Sequence, residues 1–265
     1  MTWLQIIVLA IVQGLTEFLP ISSSGHLVLV PTFFGWSDQG LSFDVAVHFG
    51  SLLAVCAFFR RDLKGLLRGS FELAGFSMQS HESKLALGLA LGTIPAAVAG
   101  LTLAAWIETN LRDPKVIVFT LAGYGALMFL ADRFAPSRRS IADVRLADAF
   151  LVGCAQALAL VPGTSRSGVT ITAGRLLGFA RQDAARFSFL LSVPVILLAS
   201  VYKGLELALG DTPVAWAELG VAVLVSAIVA YLSIEFFMRF VSRIGLLPFA
   251  IYRLALAGVI VYVLL

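Results

Sequence analysis

The chain has 265 residues, 59% of them hydrophobic and only 13% charged, with a net charge of +3 and a mean hydropathy of +0.95. Soluble domains run at about 45–50% apolar and about 25% charged, so this chain lacks the polar surface to stay in water, and the bilayer is its natural solvent. The slight basic excess does not point to nucleic acid, because Lys and Arg fall in a few short loops with no basic stripe interleaved with aromatics.

Residues 1–10 contain no basic region and no small-residue cleavage site, so no removable signal peptide is expected. A bilayer-spanning helix takes about 20 apolar residues, within a range of about 17–25. Six runs qualify: 43–59, 85–107, 116–131, 187–202, 214–237 and 248–265. Four others, 3–19, 26–34, 146–161 and 169–180, are too short or too broken to cross alone. These come in two pairs, each flanking a polar break. The first break is Leu19-Pro20-Ile21-Ser22-Ser23-Ser24-Gly25-His26, and the second is Pro162-Gly163-Thr164-Ser165-Arg166-Ser167-Gly168. Irregular backbone at membrane depth survives only when buried in protein or lining a wet cavity. Each pair therefore reads as a re-entrant helical hairpin with its polar tip near the midplane. Cys56 and Cys154 lie in apolar runs and read as small hydrophobes, with neither a disulfide nor a metal site expected of them.

Basic residues mark cytoplasmic loops. They cluster as Arg60, Arg61, Lys64 and Arg68 in a loop at 60–84, as Arg133, Arg138, Arg139 and Arg145 in a loop at 132–145, as Arg181 with Arg186, and as Arg239 with Arg243. The loops at 108–115 and 203–218 are neutral or acidic and are expected outside. Six spans join these loops if both termini lie outside, the first hairpin entering from outside and the second from inside. That is the pattern of an inverted repeat. An offset of 143 pairs Gln13 with Gln156, Leu15 with Leu158, Ser22 with Ser165, Ser24 with Ser167 and Gly25 with Gly168. The expected fold class is all-α: one polytopic membrane domain of six transmembrane helices plus two re-entrant helical hairpins, with repeat halves at roughly 1–131 and 146–265.

The chemistry concentrates at the two breaks. An ionisable residue inside an apolar run is costly and points to function. Gln13 and Glu17 stand four apart on one helical face, although Glu17 could instead cap the broken backbone. A helix starting near Ser23 would present its first N–H groups as an anion site and set Ser23 and His26 three apart. A hydroxyl with a neighbouring base is the arrangement of an activated nucleophile, and Ser22 would add a donor. In the second break Arg166 suits bidentate phosphate binding, among the hydroxyls of Ser165, Ser167 and Thr170. The Gly-Lys-Ser/Thr ending of a Walker loop is absent. Asp44 and His48, also four apart, either line the same cavity or tie helices together. Arg175 and Gln156 could support the site from behind. Arg181 and Arg186 read as boundary markers, and His81 as solvated. A phosphate site at bilayer depth suits a lipid phosphate.

At these motifs the chain resembles the undecaprenyl-diphosphate phosphatase family, also called the bacitracin-resistance protein family. The first signature stands as Gln13-Gly14-Leu15-Thr16-Glu17-Phe18-Leu19-Pro20-Ile21-Ser22-Ser23-Ser24-Gly25-His26, and the second as Pro162-Gly163-Thr164-Ser165-Arg166-Ser167-Gly168-Val169-Thr170. Similarity extends through Phe43-Asp44-Val45, Gly50-Ser51-Leu52-Leu53-Ala54-Val55, Phe187-Ser188-Phe189-Leu190-Leu191-Ser192-Val193-Pro194 and Pro248-Phe249-Ala250-Ile251-Tyr252-Arg253. The resemblance implies a bacterial plasma-membrane enzyme that converts the C55 lipid diphosphate to the monophosphate for peptidoglycan synthesis and confers bacitracin resistance. It implies an outward-facing site with Ser23 as nucleophile, His26 as its acid/base partner, Glu17 as an essential carboxylate and Arg166 on the phosphate. It also implies a divalent cation, magnesium or calcium, for which Glu17 is the candidate ligand. The family pattern admits Glu or Gln at the first acidic position. This chain carries Gln13, which can be neither a charged metal ligand nor a general base.

Two functional readings follow. In the first, a polyprenyl diphosphate enters from the outer leaflet among the membrane lipids, Ser23 attacks the terminal phosphate and water then releases it; a phosphohistidine route through His26 stays open. In the second, the same cradle moves a lipid phosphate without cleaving it, as a transporter or flippase, since paired broken helices in inverted repeats are transporter architecture. The sequence leaves the oligomeric state open, a homodimer included.

Overall fold

Helix boundaries follow from the caps and breaks in the chain. In the computed structural model, which describes residues 1–75, 78–111, 113–209 and 215–264, α1 (Trp3–Thr16) opens on a capping box between Thr2 and Gln5. The chain then turns through the first break into α2 (Ser23–Phe34), capped by Ser22 and ended by Gly35 in the left-handed conformation. Next come α3 (Leu41–Phe58) and α4 (Arg60–Ala74). The first half closes with α5 (His81–Asn110), capped by Ser80, and α6 (Pro114–Phe134), capped by Asp113 with Pro at its first position.

A short 3-10 turn, Ile141–Asp143, leads into α7 (Leu146–Ala157). A second 3-10 turn, Leu158–Leu160, precedes the second break, and Ser165 caps α8 (Arg166–Leu176). The chain ends in α9 (Arg181–Leu209), α10 (Trp216–Ile244) and α11 (Leu247–Leu264). The helix pairs α1–α2 and α7–α8 flank the two breaks. No strand occurs among the described residues beyond an isolated bridge between Arg139 and Phe179.

Among the described residues four helices are long and apolar enough to cross a bilayer, and the pair α3–α4, bent by 85°, gives up to five. The sixth expected run, at α11, is a shorter apolar helix. Three expected loops are corrected. Most of the loop placed at 60–84 is α4, an amphipathic helix that buries Leu66 and Gly69 while turning Arg60, Arg61, Lys64 and Arg68 outward. Its charge density hid its helical period. The loops placed at 108–115 and 203–218 shrink because α5 runs on to Asn110 and α9 to Leu209. Residues 112 and 210–214 of those loops lie outside the described residues.

Packing joins each hairpin to the opposite half of the chain. α1 lies on α10 and α7 lies on α5, while α8 sits between α6 and α9. Small residues permit the close approaches that hold helices together in lipid. A Cβ on Gly14 would stand 2.7 Å from the Ser226 carbonyl oxygen, and one on Gly153 would run into the backbone of Gly92. A chain of aromatic contacts leads from Phe18 in the first half into the second, with ring centroids 5.2 Å apart for Phe18–Phe189, 5.7 Å for Phe189–Phe237 and 5.3 Å for Phe237–Phe249. Large apolar side chains such as Leu101, Phe119 and Leu224 face outward, as lipid-facing surfaces require.

The basic clusters meet at one end of the bundle. Arg186 pairs with Asp62, and Arg139 with Asp148. Asp132 takes Arg181 Nε at 2.7 Å and Arg175 Nε at 3.3 Å, and its other oxygen accepts from the Leu246 N–H at 3.0 Å. These contacts gather the starts of α4, α9 and α11 and the end of α6.

Candidate active site

The two breaks fold into turns with the same local geometry. Ser22 and Ser165 precede α2 and α8 with φ of 76° and 72°, a left-handed conformation that costs a non-glycine residue about 1–3 kcal/mol. Each hydroxyl accepts from the N–H three residues on, Gly25 at 3.3 Å and Gly168 at 3.2 Å, and each lies near the serine two residues on, at 3.4 Å and 3.3 Å. These caps offset the strain at the start of each helix.

Side chains stitch the two tips together. Ser167 donates to the Leu19 carbonyl at 3.0 Å. Arg253, on α11 and fully buried, donates to the carbonyls of Pro20 at 3.4 Å in the first tip and of Gly163 and Thr164 at 3.0 and 2.9 Å in the second. It also reaches Leu121 and Thr120 on α6 at 3.2 Å each. Five carbonyls thus satisfy the fork of one guanidinium.

Between the tips lies a cavity of about 350 Å³ lined by Glu17, Ser23, Asp44, His48, Ser165 and Arg166 among others. Glu17 is its hub. Its Oε2 accepts from the Ser23 hydroxyl at 2.7 Å and from Gln13 Nε2 at 3.0 Å, and stands 3.8 Å from His48 Nε2. Its Oε1 takes Arg166 at 2.9 Å. Arg166 also reaches the Ser188 carbonyl at 3.4 Å and lies 5.7 Å from the centre of the Phe18 ring, while its buried Nε has no partner. A hydroxyl held by a carboxylate, with a guanidinium on the other oxygen, can release a proton and meet an anion in the same place.

The structure redistributes several expected roles. Ser23 meets Glu17 rather than His26. His26 Nδ1 lies 2.7 Å from the Ser22 carbonyl, which can only accept, so Nδ1 carries the proton and Nε2 accepts from the Tyr252 hydroxyl at 2.6 Å. The three-residue spacing does put both residues in the first turn, but Tyr252 on α11 turns the imidazole away. Thr170 does not line the cavity: it donates to the Arg166 carbonyl at 2.8 Å and lies 2.6 Å from the Ser188 hydroxyl. Ser22 and Ser167 are consumed in capping and stitching. Gln13 sits fully buried behind Glu17. Asp44 and His48 do line the cavity, with His48 Nδ1 2.7 Å from the Asp44 carbonyl. Arg175 belongs to the basic end with Arg181 and Arg186, and His81 opens α5 in an exposed position. Tyr252 and Arg253 escaped the sequence reading as site residues. Arg253 carried a usable signal, a charge inside an apolar run; Tyr252 was marked only by its place in the stretch of family similarity at 248–253.

Among the described residues no group of three or more His, Cys, Asp or Glu could hold a metal ion. Glu17 is already bonded to Arg166, Ser23 and Gln13, and Gln13 brings no charge. Magnesium characteristically takes one or two carboxylates and completes its shell with phosphate oxygens and water, so a divalent cation at Glu17 would compete with these partners.

A family model described as bacitracin resistance protein BacA matches residues 6–259. A curated protein of Hahella chejuensis named undecaprenyl-diphosphatase is 54% identical over 99% of this chain and 98% of its own length. Undecaprenyl-diphosphatase 2 of Stutzerimonas stutzeri is 52% identical over 98% and 97%, and an undecaprenyl-diphosphatase of Teredinibacter turnerae is 48% identical over 99% of each chain.

Proposed function

The chain belongs to the bacitracin resistance protein BacA family, and on that premise we propose that it hydrolyses undecaprenyl diphosphate to undecaprenyl phosphate and inorganic phosphate, recycling the lipid carrier for cell-wall synthesis and conferring bacitracin resistance. The observation that carries this reading is the 2.7 Å hydrogen bond from Ser23 to Glu17 beside Arg166, inside a largely apolar cavity. Moving a lipid phosphate needs an anion cradle but no hydroxyl on a carboxylate.

The terminal phosphate displaces Glu17 from Arg166, whose guanidinium then spreads over two phosphate oxygens. Glu17, freed of that partner, becomes a stronger base and accepts the Ser23 proton. Oγ attacks the terminal phosphorus as the bond to the bridging oxygen breaks, and undecaprenyl phosphate leaves. Arg166 and the first N–H groups of α8 offset the charge gathered on the phosphoryl oxygens. Glu17 passes the Ser23 proton to the leaving phosphate oxygen and, ionised again, takes a proton from water, which cleaves the phosphoserine and frees inorganic phosphate as that proton returns to Ser23 Oγ. The steps assigned to these side chains do not run through a metal, and a magnesium or calcium requirement is best met by a cation that enters with the diphosphate. His26 acts by position: it ties the strained Ser22 carbonyl to α11 through Tyr252 and so fixes the start of α2.

The membrane arrangement we infer has six spans, α3, α5, α6, α9, α10 and α11, with α1–α2 and α7–α8 as re-entrant hairpins of an inverted repeat. The matching turn geometry at Ser22 and Ser165 supports it, as do the exchanged contacts of α1 with α10 and α7 with α5. The basic end is cytoplasmic by the positive-inside rule. Along α9, Lys203 at the cavity wall stands roughly 25 Å from Arg186 at the basic end, at 1.5 Å per residue, so the cavity opens on the outer side of the bacterial plasma membrane. The apolar wall of Val45, Ala96, Val195, Ile196 and Ala199 suits the first isoprene units.

The test is phosphate release from a C55 or C15 prenyl diphosphate by the purified protein in detergent, where no membrane gradient exists. Release supports the phosphatase. Tight lipid binding without release, with and without added magnesium or calcium, would favour a lipid transporter instead.

A further inference from the structure

We propose that Gln156 forms a second phosphate subsite in the cavity, taking the phosphate that carries the prenyl chain while Glu17, Ser23 and Arg166 work on the terminal one. The proposal rests on the phosphatase reading for the identity of the ligand.

Gln156 lines the cavity, is 2% exposed, and neither its amide oxygen nor its amide nitrogen has a hydrogen-bond partner. Buried polar groups are nearly always paired, and an amide at a cavity wall with no protein partner has its donors and acceptor open to a ligand in the cavity. Its counterpart Gln13 shows why the amide is left over. Gln13 Nε2 donates to Glu17, four residues on along α1, at 3.0 Å. Four residues past Gln156 stands Leu160, which offers nothing. The second half of the chain thus keeps the amide and drops its carboxylate.

The surroundings select the ligand's chemistry. The amide NH2 can donate to a non-bridging phosphate oxygen, and the amide oxygen can accept from water or a protonated phosphate oxygen. A neutral amide suits the less charged inner phosphate of a diphosphate, which carries one ester and one anhydride bond, whereas the guanidinium suits the terminal one. Ala159 and Leu160, next along the chain, join Val195, Ile196 and Ala199 in the apolar wall. Gln156 therefore lies at the seam between phosphate and prenyl chain.

The test compares wild type with Gln156→Met, which keeps length but removes both polar atoms, and Gln156→Glu, which keeps shape but sets a negative charge against phosphate. Turnover of a C15 diphosphate is measured with inhibition by C15 monophosphate and by inorganic phosphate, beside the thermal midpoint of each protein. Gln156→Met is expected to weaken inhibition by the monophosphate on the order of tenfold, with inorganic phosphate inhibition within about twofold of wild type by the same criterion. Gln156→Glu should weaken monophosphate binding at least as much. Wild-type inhibition by both ligands, an equal loss for both, or a lowered midpoint with unchanged kinetic constants would overturn the subsite. If Gln156→Met does not fold, Gln156→Glu decides by the same criteria. If the wild type releases no phosphate, the phosphatase reading fails separately, and direct binding of C15 monophosphate to wild type and variants still decides the role of Gln156.

Discussion

The Ser23 hydroxyl donates to Glu17 Oε2 at 2.7 Å while Arg166 holds Oε1 of the same carboxylate at 2.9 Å, so one carboxylate joins the hydroxyl at the first break to the guanidinium at the second. The two tips become one site through Glu17. Glu17→Gln keeps the shape and an acceptor for Ser23 but removes the base, and should lower kcat by about 10²–10⁴-fold, the usual worth of a positioned acid or base. Phosphate release by a variant that stays monodisperse in detergent checks this.

Because the His26 imidazole is turned toward Tyr252, its loss should not equal the loss of Ser23. His26→Gln and Tyr252→Phe each cut the same tie between the Ser22 turn and α11, and each should lower turnover about tenfold, equivalent to some 1.4 kcal/mol of positioning. The double variant should be little worse than either single one, because residues acting through one contact are not additive. Additive losses would place His26 in the chemistry itself.

Arg253→Met removes the donors to Pro20, Gly163 and Thr164 that hold the tips together. Several buried carbonyls then lose their partner, which should cost about 3 kcal/mol or more. Arg253→Lys cannot reproduce the fork and should recover little. Thermal unfolding in detergent measures the stability loss, and phosphate release per folded molecule should fall with it.

The two helix breaks were readable in the sequence because Pro20, Pro162 and Gly163 interrupt apolar runs too short to cross, and helices start after them at Ser23 and Arg166. The placement of Glu17 and Arg166 in one cavity followed from treating buried charge as expensive. What stayed hidden depended on partners remote in the chain. The direction of the His26 ring is set by Tyr252, 226 residues away. Thr170 is taken by Ser188, which no local pattern marks. α4 looked like a loop because its charges outweighed its period, although Leu63, Leu66, Leu67 and Phe71 keep helical spacing.

Asp132 anchors the basic end and lies apart from the cavity. Asp132→Ala would leave the fully buried Arg175 without its carboxylate and free Arg181 and the Leu246 N–H. Removing one partner of a buried ion pair costs about 3–5 kcal/mol. The thermal midpoint should drop sharply, while kcat and KM of the molecules that remain folded should match wild type.

The most direct test of the site sets turnover of a C15 diphosphate by wild type beside Ser23→Ala, Arg166→Ala and His26→Gln in one detergent preparation. Ser23→Ala and Arg166→Ala should lose essentially all phosphate release, and His26→Gln should keep a measurable fraction, about a tenth on the same positioning estimate. Near wild-type release by Ser23→Ala, with His26→Gln dead, would contradict the serine route and put the attack on the imidazole.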